Sequence, residues 1–190
     1  MKVKSGQFIL IALFVYSNSS NTIAYEKTWT YDMKSVEVYS ANPDVIDLVD
    51  WKVERISRGV YGLSGKWLVK TDIIEGDGTE IEYAMFRSRS GTKKFQQIPF
   101  QIERQHLFDY FNGIYKYLFM NSVKNCSNLP VFEDKFEPPL KKKTYALHNC
   151  IFDEEKLPQY VQEGFYKVDL IGSGKANWYL NLTAQVQNAL

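Results

Sequence analysis

The side chains best suited to chemistry in this sequence are two cysteines and two histidines, Cys126, Cys150, His106 and His148. His148 lies two residues before Cys150, and a cysteine with a nearby histidine can form a nucleophile pair. Together the four residues offer the donor types of a zinc site, but they lack the close Cys or His pairs that pre-form one. In an oxidising compartment, an even pair of cysteines most simply forms a disulfide. Because an export signal precedes them, we predict a Cys126–Cys150 disulfide and no metal site; the alternative is two free buried thiols.

Hydrolase and phosphate-binding motifs are incomplete. The segment Gly62–Lys66 has a serine between glycines, but not the G-x-S-x-G spacing of a nucleophile elbow. It also fails as a phosphate-binding loop, because Val60 and Trp67 stand where a glycine and a Ser/Thr are needed. The acidic run Asp153–Glu155 is typical of a helix start. We therefore predict that the protein is not an enzyme and uses no cofactor.

Residues 1–24 have the pattern of a secretory signal peptide. Lys2 and Lys4 precede a short apolar run, Phe8–Tyr16, and small residues end at Ala24, after which we expect cleavage. The run is too short to span a bilayer, and no later apolar stretch reaches the required length of about 20 residues. We therefore expect one extracellular domain over 25–190, without stable membrane insertion.

The charge of the mature chain is close to neutral. Loss of the signal peptide removes two lysines and no acid, which leaves 21 Lys+Arg against 22 Asp+Glu. This balance argues against nucleic acid as a partner. Two sequons remain, at Asn125 and Asn181. Because Asn125 adjoins an expected half-cystine, Asn181 is the better candidate for glycosylation.

Alternating apolar residues predict strands along most of the mature chain. The clearest runs begin at Tyr61, Ile81, Tyr166 and Trp178. Between them, residues 103–120 have a broad apolar stripe of period near 3.6, with polar residues such as Asn112 and Lys116 on the opposite face. We predict a mainly β fold, an antiparallel β-sandwich or β-cup of about seven or eight strands, with this one amphipathic helix inserted.

The number of large apolar residues on these strands and on the helix exceeds the number that a thin core requires. They are candidates for the lining of a ligand cavity between the sheets and the helix, although packing in a closed core is the alternative. The candidate lining residues are Trp67, Val69, Tyr83, Met85, Phe111, Tyr115, Leu118, Val168, Leu170, Trp178 and Leu180.

A series of short motifs follows in order over residues 61–168. The motifs are YGLSG (61–65), PFQI (99–102), FNGIYK (111–116), CSNLP (126–130), PPLKKKTY (138–145), HNC (148–150), and LP with GFYKV (157–158 and 164–168). This series resembles the insect CheA/CheB chemosensory family. That family is similar in fold to the ganglioside-activator branch of the lipid-recognition proteins, in which a β-cup holds a lipid. The activator branch has several disulfides, whereas this chain offers one, so we expect a looser cup or a different mouth.

The resemblance implies a secreted chemosensory protein that binds a small hydrophobic ligand, a pheromone or cuticular lipid. The ligand would enter between the sheets under helix 103–120, and the complex would be presented to a sensory-neuron receptor. The alternative is a secreted interaction protein with a filled core that acts through its surface without a ligand.

Overall fold

The computed structural model describes residues 28–92, 94–154 and 157–188. The predicted signal peptide and its cleavage site lie outside the described residues. Within these ranges the fold is mainly β, with two antiparallel sheets and one helix of 17 residues, as predicted. The strands are β1 (Trp29–Ser40), β2 (Ile46–Ser57), β3 (Val60–Val69), β4 (Glu80–Ser88), β5 (Gln96–His106), β6 (Lys143–Cys150), β7 (Gly164–Ser173) and β8 (Trp178–Asn188).

The two sheets differ in width, which determines how much of the interior is covered. The larger sheet has five strands in the order β1-β8-β7-β4-β5, and the smaller has three in the order β2-β3-β6. Side chains alternate between the faces of each strand, so residues abreast of one another share a face. The register places Tyr83, Leu170, Leu180 and Val38 in one row across four strands, all pointing toward the smaller sheet.

The helix, α1, begins later than the sequence predicts. It consists of Leu107–Tyr110, a π-helical segment Phe111–Phe119, and Met120–Val123. The predicted start at residue 103 is wrong, because residues 103–106 continue β5, which pairs with β4 as far as Glu80 opposite His106. In the π-helical segment each turn takes up more than four residues, since its bonds run from i to i+5. Phe111 and Tyr115, four residues apart, are its buried residues.

The predicted polar face of α1 also has a structural role. The side chain of Asn112 accepts a hydrogen bond from the backbone N–H of Phe136 (2.6 Å) and donates one to its carbonyl oxygen (3.3 Å). Lys116 Nζ donates to the carbonyl oxygen of Glu133 (2.6 Å). We expected these side chains to face solvent, but they anchor the long connection between α1 and β6.

The predicted disulfide is confirmed. Cys126 follows α1, Cys150 ends β6, and their sulfur atoms are bonded with a Cα–Cα distance of 5.4 Å. This distance lies within the usual range of about 4.4–6.8 Å. Next to the bridge, His148 donates its backbone N–H to the carbonyl oxygen of Cys126 (2.8 Å). The disulfide therefore ties the end of the helix to the smaller sheet. Because it uses both thiols, it also rules out the Cys/His nucleophile and the four-ligand zinc site.

Candidate functional site

The candidate lining residues on the larger sheet share its inner face. These are Tyr83, Met85, Val168, Leu170, Trp178 and Leu180. From the other side of the interior, β3 contributes Val69, which is buried, and Trp67, which packs against the same core. Phe111 and Tyr115 of α1 are buried in that core as well. The structure thus places seven of the eleven candidate residues in one apolar core: Trp67, Val69, Phe111, Tyr115, Leu170, Trp178 and Leu180. Met85 packs instead against a second cluster formed by Trp29, Tyr166 and Val186.

Leu118 is the candidate residue of α1 that is not buried with Phe111 and Tyr115. It is half-buried and lies beside Tyr117, whose side chain is 70% exposed. The sequence pattern places Leu118 on the apolar stripe because it assumes 3.6 residues per turn. The wider turn of the π-helical segment rotates Leu118 away from the face that buries Phe111 and Tyr115.

One row on the inner face of the larger sheet is incompletely covered. Met85, Val168, Leu182 and Val36 lie abreast on β4, β7, β8 and β1, and each remains half-buried. The inner face of a sandwich normally packs against the opposite sheet. Here three strands face five, so the cover is too narrow for the whole inner face. The result is a continuous strip of apolar side chains that keeps contact with solvent, named here the inner row.

Tightly packed aromatic rings occupy the part of the interior next to the β7–β8 turn. Trp67 makes edge contacts with Trp51 (centroids 4.5 Å apart) and with Trp178 (6.2 Å). The indole of Trp178 lies across Gly172, where an added Cβ would be only 2.2 Å from the ring. Gly172 is therefore needed for this close approach. This end of the interior is filled, whereas the residues of the inner row stay half-buried.

Tyr31 connects β1 to the segment that follows the disulfide. Its hydroxyl donates to the carbonyl oxygen of Phe152 (2.7 Å) and accepts from the Phe152 backbone N–H (3.0 Å). Burial raises the pKa of Tyr31 to about 12, because the phenolate would lose its hydration. Burial also raises the pKa values of Tyr83, Tyr110 and Tyr115.

These tyrosines make the fold sensitive to alkali. In the unfolded chain tyrosine titrates near pH 10, so the unfolded state loses protons there while the folded state keeps them. The contribution of these buried tyrosines to the free energy of unfolding is complete below pH 10 and declines as the pH rises toward 12. For Tyr31 the loss should be of the order of 2 kcal/mol. Urea unfolding at a series of pH values should show a smaller decline for Tyr31→Phe than for the wild type. Tyr160→Phe, at a side chain 73% exposed, should leave the decline unchanged.

The outer face of the larger sheet has a second feature that the sequence analysis does not predict. An open concavity of about 600 Å³ is lined by Tyr39, Tyr179, Lys167, Asp169 and other residues of β1, β5, β7 and β8. Tyr39 and Tyr179 are 55% and 41% exposed, and their rings stack with centroids 5.7 Å apart. The sequence holds one signal for this concavity. Both tyrosines occupy positions that alternate with the apolar, inward-facing residues of their strands.

The two sequons differ in accessibility. Asn181 is buried in the wall of this outer concavity, and its side-chain amide donates a hydrogen bond to Asp169. Asn125 is exposed next to the disulfide. In the folded protein Asn125 is therefore the more accessible sequon, whereas the sequence favoured Asn181. Glycosylation of either asparagine stays a prediction.

Comparison with known families finds a match in the central part of the chain. Residues 81–168 match the family described as "Protein of unknown function (DUF1091)". No curated protein matches the chain. Among the described residues, no helix is long and apolar enough to cross a membrane. The matched segment runs from β4 to β7 and includes α1 and both half-cystines, so this central part of the chain is similar to the DUF1091 family.

Proposed function

We propose that the protein is a secreted, non-enzymatic carrier of a hydrophobic ligand in chemosensation, with a pheromone or a cuticular lipid held between its two sheets. The inner row carries this proposal. A filled core would leave no reason for four adjacent inward-facing apolar residues to stay half-buried, whereas a ligand site requires accessible apolar surface of this kind.

The free energy available to such a ligand comes from burial of its alkyl chain. A chain that covers about 200 Å² of apolar surface would gain roughly 5 kcal/mol, at about 25 cal/mol per Å². The inner row supplies side chains from four strands for this contact. A flexible alkyl chain also suits the interior because it can follow the strip from Met85 to Val36 without needing polar partners.

Two similarities support a chemosensory role. The motifs that resemble the CheA/CheB family include FNGIYK on α1 and the two half-cystine motifs, which connect the helix to β6. The DUF1091 match covers the same helix and bridge. We propose that both similarities reflect the same relationship, and that the loaded protein is presented to a sensory-neuron receptor.

The proposal is tested by filling the inner row. Val168→Trp places a large ring in the middle of the row and should abolish displacement of Nile red by long-chain lipids. The matched control is Lys167→Trp, because the neighbouring residue on β7 points to the outer face, where it lines the outer concavity. Circular dichroism should show both variants folded.

Each outcome of this comparison has a defined meaning. Loss of lipid binding in Val168→Trp alone supports a site between the sheets. Lipid binding that survives in Val168→Trp but is lost in Lys167→Trp would contradict the proposal and move the site to the outer face.

A second candidate function rests on that outer face. The stacked, exposed pair Tyr39 and Tyr179 lies at an open concavity with charged residues around it, which is the composition of many protein interfaces. The protein would then act as a surface-binding interaction protein without a ligand. Replacing both tyrosines with alanine should abolish its activity in a sensory assay while leaving lipid binding intact, whereas Val168→Trp should have no effect in that assay.

A further inference from the structure

The outer concavity places an apolar row of side chains next to a polar row. The register of β1, β8 and β7 sets both rows on the outer face of the larger sheet. The apolar row consists of Tyr39, Tyr179 and Ile171. The polar row, two residues away along each strand, consists of Glu37, Asn181 and Asp169. Two residues of a strand span about 7 Å, so one small ligand can contact both rows.

The apolar row offers aromatic rings that the core does not use. Tyr39 and Tyr179 stack with their ring planes inclined at 26°, and both stay exposed. Neither side chain belongs to the apolar clusters that the described residues form. Each ring packs on the other through one face, and no further ring of the described residues stacks on the opposite face. An exposed aromatic face of this kind can pack against a flat ligand that carries apolar C–H groups.

The polar row supplies hydrogen-bond acceptors that are held in place. The side-chain amide of Asn181 donates to Oδ1 of Asp169, and Lys167 Nζ lies 3.9 Å from the same oxygen. Within the part of the chain that the structure describes, no hydrogen bond or ion pair engages Oδ2 of Asp169 or the exposed carboxylate of Glu37. These oxygens can therefore accept hydrogen bonds from a ligand, and the ammonium group of Lys167 can donate them.

The charges around the outer concavity balance. Its lining includes two carboxylates, Glu37 and Asp169, and two cations, Lys167 and Arg104. Arg104 also pairs with Glu82 at 3.4 Å. A charged ligand would lose hydration here without meeting an excess of the opposite charge. A neutral ligand with several hydroxyl groups fits better, because each hydroxyl can donate to a carboxylate and accept from a cation.

We propose that the outer concavity binds a neutral oligosaccharide, with a sugar ring stacked on the tyrosine pair and its hydroxyl groups hydrogen-bonded to Glu37 and Asp169. A pyranose ring suits the two rows because its faces carry apolar C–H groups and its edge carries hydroxyls. The site lies on the opposite face of the sheet from the inner row, so it does not depend on a ligand between the sheets. It gives the outer face a partner of defined chemistry, a glycan.

A neighbouring hollow makes the site long enough for a chain of sugars. Arg104 also lines a second open hollow of about 390 Å³, together with Glu82 and Ile102 of β4 and β5. Because the outer concavity and this hollow share Arg104, together they reach from β1 to β5, the two edges of the larger sheet. We therefore expect the affinity to rise from a single sugar to a trimer.

Calorimetric titration with the linear trimers of N-acetylglucosamine, glucose and mannose tests the proposal. At least one trimer should bind, and more tightly than its monomer. Tyr179→Ala should weaken that binding at least fivefold, as expected for removal of a ring on which a flat ligand stacks. Tyr179→Phe should bind as the wild type does, because stacking does not need the hydroxyl. The matched control is Tyr160→Ala, an exposed tyrosine outside the concavity, which should leave binding unchanged.

A charged sugar and a second readout complete the test. Saturation-transfer NMR should show magnetisation passing from tyrosine ring protons to sugar C–H protons in the wild type, and much less in Tyr179→Ala. Tighter binding of the acidic hyaluronan tetrasaccharide than of every trimer would overturn the neutral ligand.

Two further results would overturn the proposal. One is the absence of binding by all three trimers, or binding that Tyr179→Ala does not change. The other is a protein partner that still needs Tyr39 and Tyr179 after its glycans have been removed, which would make this face a protein interface. Displacement of Nile red by lipids is measured separately and should be unchanged in Tyr179→Ala, so either result would leave the proposed function intact.

Discussion

Phe111→Ala should lower the free energy of unfolding by about 3–5 kcal/mol, the usual cost of truncating a buried phenylalanine. Phe111 is only 6% exposed. Its ring contacts Tyr115 within α1 (centroids 5.0 Å apart) and Phe136 of the following connection (4.8 Å). The substitution therefore removes apolar burial and also loosens the connection from the helix. Equilibrium unfolding in urea measures the effect.

The matched control is Tyr117→Ala, on the same helix, because Tyr117 is 70% exposed. Its effect should stay within about 0.5 kcal/mol, as for most surface positions. A bound lipid should restore part of the stability lost in Phe111→Ala, since a ligand that binds only the folded state stabilises it by mass action. The melting temperatures of the free and lipid-loaded variant should therefore differ. Equal destabilisation by the two substitutions would contradict the assigned packing of α1.

Removal of the disulfide should have an effect of similar size. Replacing both Cys126 and Cys150 with alanine opens a loop with a sequence separation of 24, which should cost about 3 kcal/mol. Cys150 is fully buried, so the free thiols of a reduced protein would also have to pack within the core.

Two measurements check this expectation. Urea unfolding should show the loss of stability in the double variant, and a reducing agent should weaken the wild type but not the variant. Mass analysis of the unreduced secreted protein after alkylation should show no modified cysteine. Two alkylated cysteines would contradict the bridge.

The sequence predicted the strands well because alternation is a local property. Tyr83 and Met85, and likewise Val168 and Leu170, point inward in the structure as their parity indicated. The start of α1 was predicted four residues too early. The helical period of the apolar residues begins within β5, and only pairing with β4, a distant segment, determines where the strand ends.

Features that depend on packing between elements could not be predicted in this way. The half-burial of the inner row follows from the unequal widths of the two sheets, which no local pattern of residues such as Val168 records. The outer concavity depends on the relative positions of several strands, which no local pattern of residues records.

Native mass spectrometry of the secreted protein tests the central claim most directly, because it detects a ligand without presuming its identity. The protein should carry one lipid-sized molecule that is released on denaturation, and Val168→Trp should be recovered without it. A wild-type protein that shows the same mass under native and denaturing conditions, and that takes up no long-chain ester on incubation, would contradict a ligand site between the sheets.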